Sequence, residues 1–242
     1  MCGRFSMHST LGNWSQLYFP NWEIQNVKSY EASRYNIAPT QEARVYFSDA
    51  AKSSLGLEDM RWGIRLAAAD DRGNKINMIN ARSESIELKP TFQDGLKYRR
   101  CLIPANGFFE WQSVGRKKQP YYFSHTTQDV FAFAGIWEYS TVDSSDLPVR
   151  SFCILTTNAN SDLSDMHERM PVIIDPLNYS QWIDPHSTVH GHLKRLLRPL
   201  ANKTLQRWAV STVVNQVGLD TPACIQEIPH EHILKDRQTR LF

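Results

Sequence analysis

The residue with the most chemistry to offer is Cys2. Once Met1 is removed, that cysteine carries a free α-amine and a thiol on neighbouring carbons, a 1,2-aminothiol. The amine titrates near ~8 and the thiol near ~8.5 in ordinary surroundings, so both are partly nucleophilic at neutral pH. An aldehyde that meets the amine forms a Schiff base, and the thiol then closes on the same carbon to give a five-membered thiazolidine. A plain imine hydrolyses readily; the ring does not. The plainer reading makes Cys2 only the second residue of a start peptide, so its neighbours must decide.

Residues two apart in extended backbone point to the same side. Three polar candidates are followed at that spacing by an arginine: Cys2 by Arg4, Asn80 by Arg82 and His167 by Arg169. A guanidinium fork suits phosphate, although any one pair is equally a coincidence beside a solvated arginine. Three such contacts to a single strand would give a log–log salt slope of roughly −2, at ~0.7 per phosphate. Glu110 lies in Gly107-Phe108-Phe109-Glu110-Trp111, where alternation sets it beside Phe108 and opposite Phe109 and Trp111. A carboxyl desolvated by such rings has a raised pKa and suits proton shuttling; a solvent-facing Glu is the alternative. His167 is a general acid or base near neutrality, or a structural histidine. Trp62, Trp111, Tyr121 and Tyr122 are candidates to stack on bases, with core packing as the competing reading. Trp62 leads, because Arg61-Trp62-Gly63 joins a charge, a ring and a backbone without bulk.

Short β-branched and aromatic runs at 44–47, 107–111, 120–123, 130–137, 151–157, 171–174 and 208–214 must position these groups. Residues 113–118 between two of them form a hairpin loop with basic residues at its tip. Helical signals are fewer: Thr10 caps a helix carrying Trp14 and Leu17, and Ser187 caps one carrying Leu193, Leu196 and Leu197 before Pro199. The polar stretches 67–75 and 140–148 read as surface loops. The expectation is an α+β fold, one strand-rich domain over residues 1–242 around a curved, barrel-like mixed sheet.

With 27 basic and 25 acidic side chains in 242 residues, net charge is +2, so no global basic field carries nucleic-acid affinity and arginines must be gathered locally. No apolar run approaches the ~20 residues of a bilayer span, and the first residues lack a secretory signal, so the protein is expected to stay in the cell that makes it and away from membranes. Cys2, Cys101, Cys153 and Cys224 form no C-x-x-C pair; reduced thiols are the default, and Cys101 and Cys153 read as small buried hydrophobes. His190-Gly191-His192 and His230-Glu231-His232 lack further ligands at recognisable spacing, so no metal and no cofactor is expected.

The set of motifs resembles the abasic-site-processing family, also called the SOS-response-associated peptidase (SRAP) family. The matching pieces run in family order from Met1-Cys2-Gly3-Arg4-Phe5 and Arg34-Tyr35-Asn36-Ile37-Ala38-Pro39 through Arg61-Trp62-Gly63, Asn80-Ala81-Arg82-Ser83-Glu84 and Cys101-Leu102-Ile103-Pro104. They continue with Gly107-Phe108-Phe109-Glu110-Trp111, Lys118-Gln119-Pro120-Tyr121, Phe133-Ala134-Gly135-Ile136-Trp137-Glu138, Leu155-Thr156-Thr157-Asn158-Ala159-Asn160 and His167-Glu168-Arg169-Met170-Pro171. Each alone is weak; ten in order over residues 1–175 are specific.

The resemblance implies a sensor of abasic sites in single-stranded DNA that removes its own Met1 and bonds the ring-opened sugar as a thiazolidine, protecting the site in the DNA damage response. It implies Cys2 as nucleophile through both amine and sulfur, Asn80 holding the Cys2 backbone and the sugar, Glu110 opening the sugar and relaying protons, and His167 as its partner in imine formation and crosslink reversal. Arg4, Asn36, Trp62, Arg82 and Arg169 are implied as the DNA-contacting set. A monomer is expected, in the cytoplasm at the nucleoid of a bacterium or in the nucleus of a eukaryote. In Val210-Ser211-Thr212-Val213-Val214-Asn215 the family often carries a basic residue where this chain has Val213, and residues beyond Asn215 carry no family signal. Two rivals stay open: an N-terminal-nucleophile cysteine amidohydrolase, since glutamine amidotransferases also begin Met-Cys-Gly, and a non-catalytic single-strand binder that needs the arginines but not Cys2.

Overall fold

The alternating runs become a ladder of short strands in the computed structural model, which describes residues 2–20, 22, 24–25, 32–49, 54–69, 75–141, 148–187, 191 and 193–233. In chain order these are β1 (Phe5–Met7), β2 (Ile24–Gln25), β3 (Arg34–Ile37), β4 (Glu42–Asp49), β5 (Ser54–Trp62), β6 (Ile64–Ala69), β7 (Lys75–Met78) and β8 (Asn80–Arg82). Then follow β9 (Arg100–Ala105), β10 (Gly107–Val114), β11 (Lys117–His125), β12 (Phe131–Thr141), β13 (Pro148–Asn158), β14 (Arg169–Pro171), β15 (Ile173–Ile174) and β16 (Leu205–Ala209). The fold is α+β and strand-rich, as expected.

Five strands close a barrel. The order β5-β4-β9-β12-β13 returns on itself because β13 pairs in parallel with β5, Ser151 opposite Arg61 and Phe152 opposite Trp62. Closure removes open edges from this part of the sheet. Beyond Phe152 the same edge of β13 passes to β8, Asn80 opposite Ile154 and Arg82 opposite Thr156. On the other edge β12 and β13 diverge, and the β14–β15 segment fills the gap, with Val172 bonded to Leu155 on one side and Ala134 on the other.

A second sheet, ordered β16-β11-β10-β1-β3, packs on the barrel. Phe5 meets Trp62 edge-on at 5.1 Å between centroids and Phe133 at 5.7 Å, while Phe108 stacks on Phe123 at 5.2 Å. Each of these rings is fully buried, worth roughly 1.5–3 kcal/mol per side chain against exposure. Alternation along β10 sends Phe108 into this core and Phe109 and Trp111 into a smaller cluster with Tyr122, Val210, Val214 and Cys224.

Several local expectations shift. Helix α1 (Gly12–Tyr18) carries Trp14 and Leu17, but it begins after Leu11 and has no side-chain cap, so Thr10 does not cap it. Of the helix expected after Ser187, residues 188–190 and 192 lie outside the described residues, 191 and 193 are π-helical and 194–196 form an α-helical turn; Ser187 Oγ donates to Asp184 at 2.9 Å. The 113–118 loop tightens to a two-residue turn because Val114 pairs with Lys117; Gly115 takes φ 60°, a conformation glycine adopts freely. The run expected at 208–214 stops as strand at Ala209: Ser211 Oγ accepts from Val213 N–H at 3.3 Å and starts a 3-10 turn over Thr212–Asn215. Strands β6, β7, β12 and β13 reach into the stretches expected as loops, whose centres at 70–74 and 142–147 lie outside the described residues.

Gly107 sits where β10 leaves the core, opposite Ser6 and Ser124, and a Cβ there would collide with the Tyr122 ring and the Phe123 carbonyl. Gly107→Ala is expected to cost about 1–3 kcal/mol through overpacking, read as a lower urea midpoint at unchanged slope. A midpoint equal to that of the parent contradicts the packing described.

Candidate active site

Two ladders deliver the groups. In the first, Phe5 pairs with Phe108 and Phe109 N–H donates to Arg4 O at 3.0 Å, so the Cys2–Arg4 segment follows β10 toward Glu110. In the second, the β8–β13 pairing sets Asn80 where its Nδ2 donates to Cys2 O at 2.9 Å. Cys2 is 0% exposed, Glu110 4% and Asn80 8%, so the three meet out of bulk water. Cys2 Sγ leans toward Arg4 O at 3.7 Å. Asn80 Oδ1 is buried with no hydrogen-bond partner among the described residues, a state that costs roughly 1–3 kcal/mol unless a ligand supplies a donor.

Burial sets the electrostatics. It pushes the Cys2 thiol far above its ordinary range, and the nearby Glu110 acts in the same direction, so the sulfur stays S–H at neutral pH. Burial also raises Glu110, which therefore keeps its proton to higher pH than an exposed carboxyl.

His167 arrives from the other edge of β13, ahead of β14. Its Nδ1 accepts from Arg169 N–H at 2.9 Å, which leaves the ring proton of the neutral form on Nε2. Partial burial lowers its pKa and favours that neutral form. The loop before it is anchored: Asp162 accepts from the backbone N–H groups of Lys203, Thr204 and Leu205 at 2.8–3.1 Å, and Arg207 grips Asp165 with both Nη atoms at 2.6 and 2.8 Å. No hydrogen bond joins His167 to Cys2 or Asn80 among the described residues. Cys2, Asn80 and Glu110 are thus brought together directly, and His167 stands just ahead of β14, which pairs with β13.

The DNA-contacting set divides. Arg82 is exposed at the end of β8. Arg4 is half-buried and commits Nη1 to Asn36 Oδ1 and Val214 O, each at 2.6 Å, leaving its other nitrogens without a partner among the described residues. The other three are buried and hydrogen-bonded within the fold. Asn36 is fully buried and spends its Nδ2 on Val214 O, Gln216 O and Leu219 O at 2.7–3.2 Å, so it positions Arg4 and the loop after β16. Trp62 is fully buried between Phe5 and Phe152, its Nε1 donating to Ile79 O at 2.9 Å, so it packs in the core. Arg169 is 5% exposed and holds Glu84 bidentately at 2.7 Å on both oxygens, with Asn158 Oδ1 and Thr156 O as further acceptors.

Two carboxylates escaped the sequence reading. Glu84 neutralises Arg169, and its only cue was its place two residues after Arg82. Asp220 accepts from the backbone of Tyr35 and Asn36 and pairs with Arg34, latching the segment after Asn215 onto β3. Among the described residues no group of three or more His, Cys, Asp and Glu is placed to hold a metal; His190 and His192 lie outside them. No helix among the described residues is long and apolar enough to cross a membrane.

A closed five-strand barrel carrying a second sheet sets a buried cysteine at position two, tethered by an asparagine, beside a buried glutamate side chain. The chain belongs to the SOS response associated peptidase (SRAP) family, whose model matches residues 1–217. It is 32% identical over 228 residues to the abasic site processing protein YoqW of Bacillus subtilis, covering 93% of this chain and 99% of that one. It is 34% identical over 222 residues to the abasic site processing protein YoaM of the same organism, covering 89% and 93%. The abasic site processing protein HMCES of Gallus gallus is 30% identical over 223 residues, 80% of this chain and 66% of that protein. In fold the chain resembles a crystal structure from Bacteroides thetaiotaomicron, with TM-score 0.77 at 20% identity over 94% of this chain and 100% of that one.

Arg169 holds Glu84 below the ordinary carboxylate range, near 4.5. A carboxylate whose pKa falls on folding stabilises above its unfolded value and loses that contribution as pH drops through the folded one. Glu84→Gln is therefore expected to lower stability at pH 7 by about 0.5–1 kcal/mol, Glu84 being half-exposed and screened. The gap in urea midpoint should narrow below pH 4.5; a gap constant with pH contradicts the assignment.

Proposed function

We propose that the protein senses abasic sites in single-stranded DNA and joins them covalently through Cys2 after Met1 has been removed. The observation that carries this is the hydrogen bond from Asn80 to Cys2 O beside buried Glu110, which fixes the backbone of the residue that would offer both amine and thiol.

The chemistry follows from the protonation states. An abasic sugar rests mainly as the closed hemiacetal, and Glu110, whose burial raises its pKa, is suited to pass a proton to the ring oxygen as the C1 hydroxyl loses one, opening the aldehyde. The Cys2 amine adds to C1, and loss of one water leaves the imine. The thiol, kept as S–H by burial, then adds across the C=N bond: sulfur bonds C1 and the proton ends on nitrogen, closing the thiazolidine. Amine first, sulfur second is the order that burial favours. It also weighs against an amidohydrolase, in which the sulfur itself must open the attack as thiolate. Asn80 Oδ1, lacking a donor, is placed to accept from a sugar hydroxyl. His167 in its neutral Nε2–H form serves proton transfer at the amine during imine formation and reversal. The peptidase of the family name is, in this reading, self-directed at the Met1–Cys2 bond. The relatives named abasic site processing proteins support the substrate class.

Cys2 variants test this on a denaturing gel with an abasic single strand. Cys2→Ala is expected to give no stable adduct, while Cys2→Ser, which keeps the amine but loses the ring, gives a product only when borohydride traps the imine. A lasting adduct from Cys2→Ala without reductant overturns the mechanism.

A further inference from the structure

The two groups that would move protons at Cys2 belong to different sheets. Glu110 lies on β10 of the second sheet, whereas His167 ends the loop that leaves β13 of the barrel and returns as β14. Strand β10 pairs with β1 and β11, and β14 with β13, so no ladder joins the two groups. The separation of carboxyl and imidazole therefore depends on what ties that loop to the second sheet. The edge strand β16 does so, through Arg207.

Alternation sets Arg207 on the right face. Glu110 pairs with Tyr121, and Phe123 with both Phe108 and Arg207, so Glu110, Tyr121, Phe123 and Arg207 share the barrel-facing side of the second sheet. The guanidinium lies over the Tyr121 and Phe123 rings, 5.9 Å from each centroid. Its two Nη atoms donate to the two carboxylate oxygens of Asp165 at 2.6 and 2.8 Å, and Nη1 also donates to Asp162 O at 3.2 Å. A plane resting on rings while its fork holds a carboxylate is a geometry that lysine does not reproduce. Asp165 precedes His167 by two residues, and the turn between them is stiff. The N–H groups of Met166 and His167 both donate to Leu163 O, at 2.9 and 3.1 Å, and His167 Nδ1 takes the Arg169 N–H. A shift at Asp165 is therefore passed to the imidazole.

We infer that Arg207 is a positioning residue for His167: through Asp165 it fixes the loop that carries the imidazole against the sheet that carries Glu110. This rests on the reading that His167 transfers protons at the Cys2 amine. Stability is a weak reason for the pair. The Arg207 and Asp165 side chains keep 34% and 51% of their exposure, and ion pairs so open to water add little to folding. The base of the loop already has its own anchor, since Asp162 takes the backbone N–H groups of Lys203, Thr204 and Leu205. What Arg207 adds is a hold on the far end, next to the histidine.

Two readouts separate placement from folding. In the first, mature protein is mixed with an abasic single strand at a series of concentrations, and adduct is followed on denaturing gels. Arg207→Ala and Asp165→Ala are each expected to lower the maximal rate about tenfold and to leave the half-saturating strand concentration unchanged. Asp165→Ala keeps Arg207 on its rings, so it decides the matter where Arg207→Ala folds poorly. In a His167→Ala background neither substitution should slow the reaction further. The second readout needs no DNA: NMR of the ring nitrogens, at a pH where the imidazole is neutral, should show His167 as one Nε2–H tautomer in the parent and as a mixture in both variants. Parental rates in both variants, equal slowing with and without His167, or a tautomer that stays single overturns the role of Arg207. A parent that forms no adduct, with the tautomer loosened in the variants, overturns the crosslinking reading and leaves the positioning of His167 standing.

Discussion

One hydrogen bond, from Asn80 Nδ2 to the carbonyl of Cys2, is the constraint on which the site depends. A chain terminus is ordinarily the least ordered part of a protein, because little holds it. Here the second residue is fully buried, and its backbone is gripped from a strand that pairs with β13 of the closed barrel. The other side of the segment is laid along β10, so Cys2 stands between two sheets, each fixed by its own packing. Precision at Cys2 is thereby inherited from the barrel: Trp62, Phe5 and Phe133 pack where the sheets meet, and their burial stabilises the arrangement that the terminus uses.

Burial that positions Cys2 also chooses its protonation state. Water exclusion holds both the thiol and the Glu110 carboxyl toward their neutral forms, the reverse of what a thiolate nucleophile needs. The proposed ring closure in two steps is compatible with that state, the amine making the first bond and the S–H proton passing to nitrogen in the second. The surface follows a different rule. Charges buried near the site are paired, as Arg169 is with Glu84, whereas Arg82 and the hairpin cations stay in solvent.

Most of the fold was legible because alternation in β-branched and aromatic runs is local information: 107–111, 120–123 and 151–157 all lie in strands. The neighbours of Glu110 were legible for the same reason, with Phe108 on one face and Phe109 and Trp111 on the other. Long-range partners were not. Arg169 has the spacing of a phosphate clamp, and nothing near it in the chain shows that Glu84 takes its guanidinium. Asn36 likewise spends its amide on carbonyls 178–183 residues away. Trp62 misled because a ring beside an arginine and a glycine looks the same in sequence whether it faces solvent or closes a barrel. At 208–214, the Ser211 side chain competes for a backbone N–H and ends the strand that the valines would have continued.

The most direct measurement of the central claim is the mass of the product. Mature protein incubated with an abasic single strand, without reductant, should gain the mass of that strand less one water, and proteolysis with nuclease digestion should place the adduct on Cys2. Borohydride added afterwards should leave that mass unchanged, because a closed thiazolidine has no imine to reduce. A gain of two hydrogens on reduction, or an adduct on a lysine or any residue other than Cys2, would contradict the account.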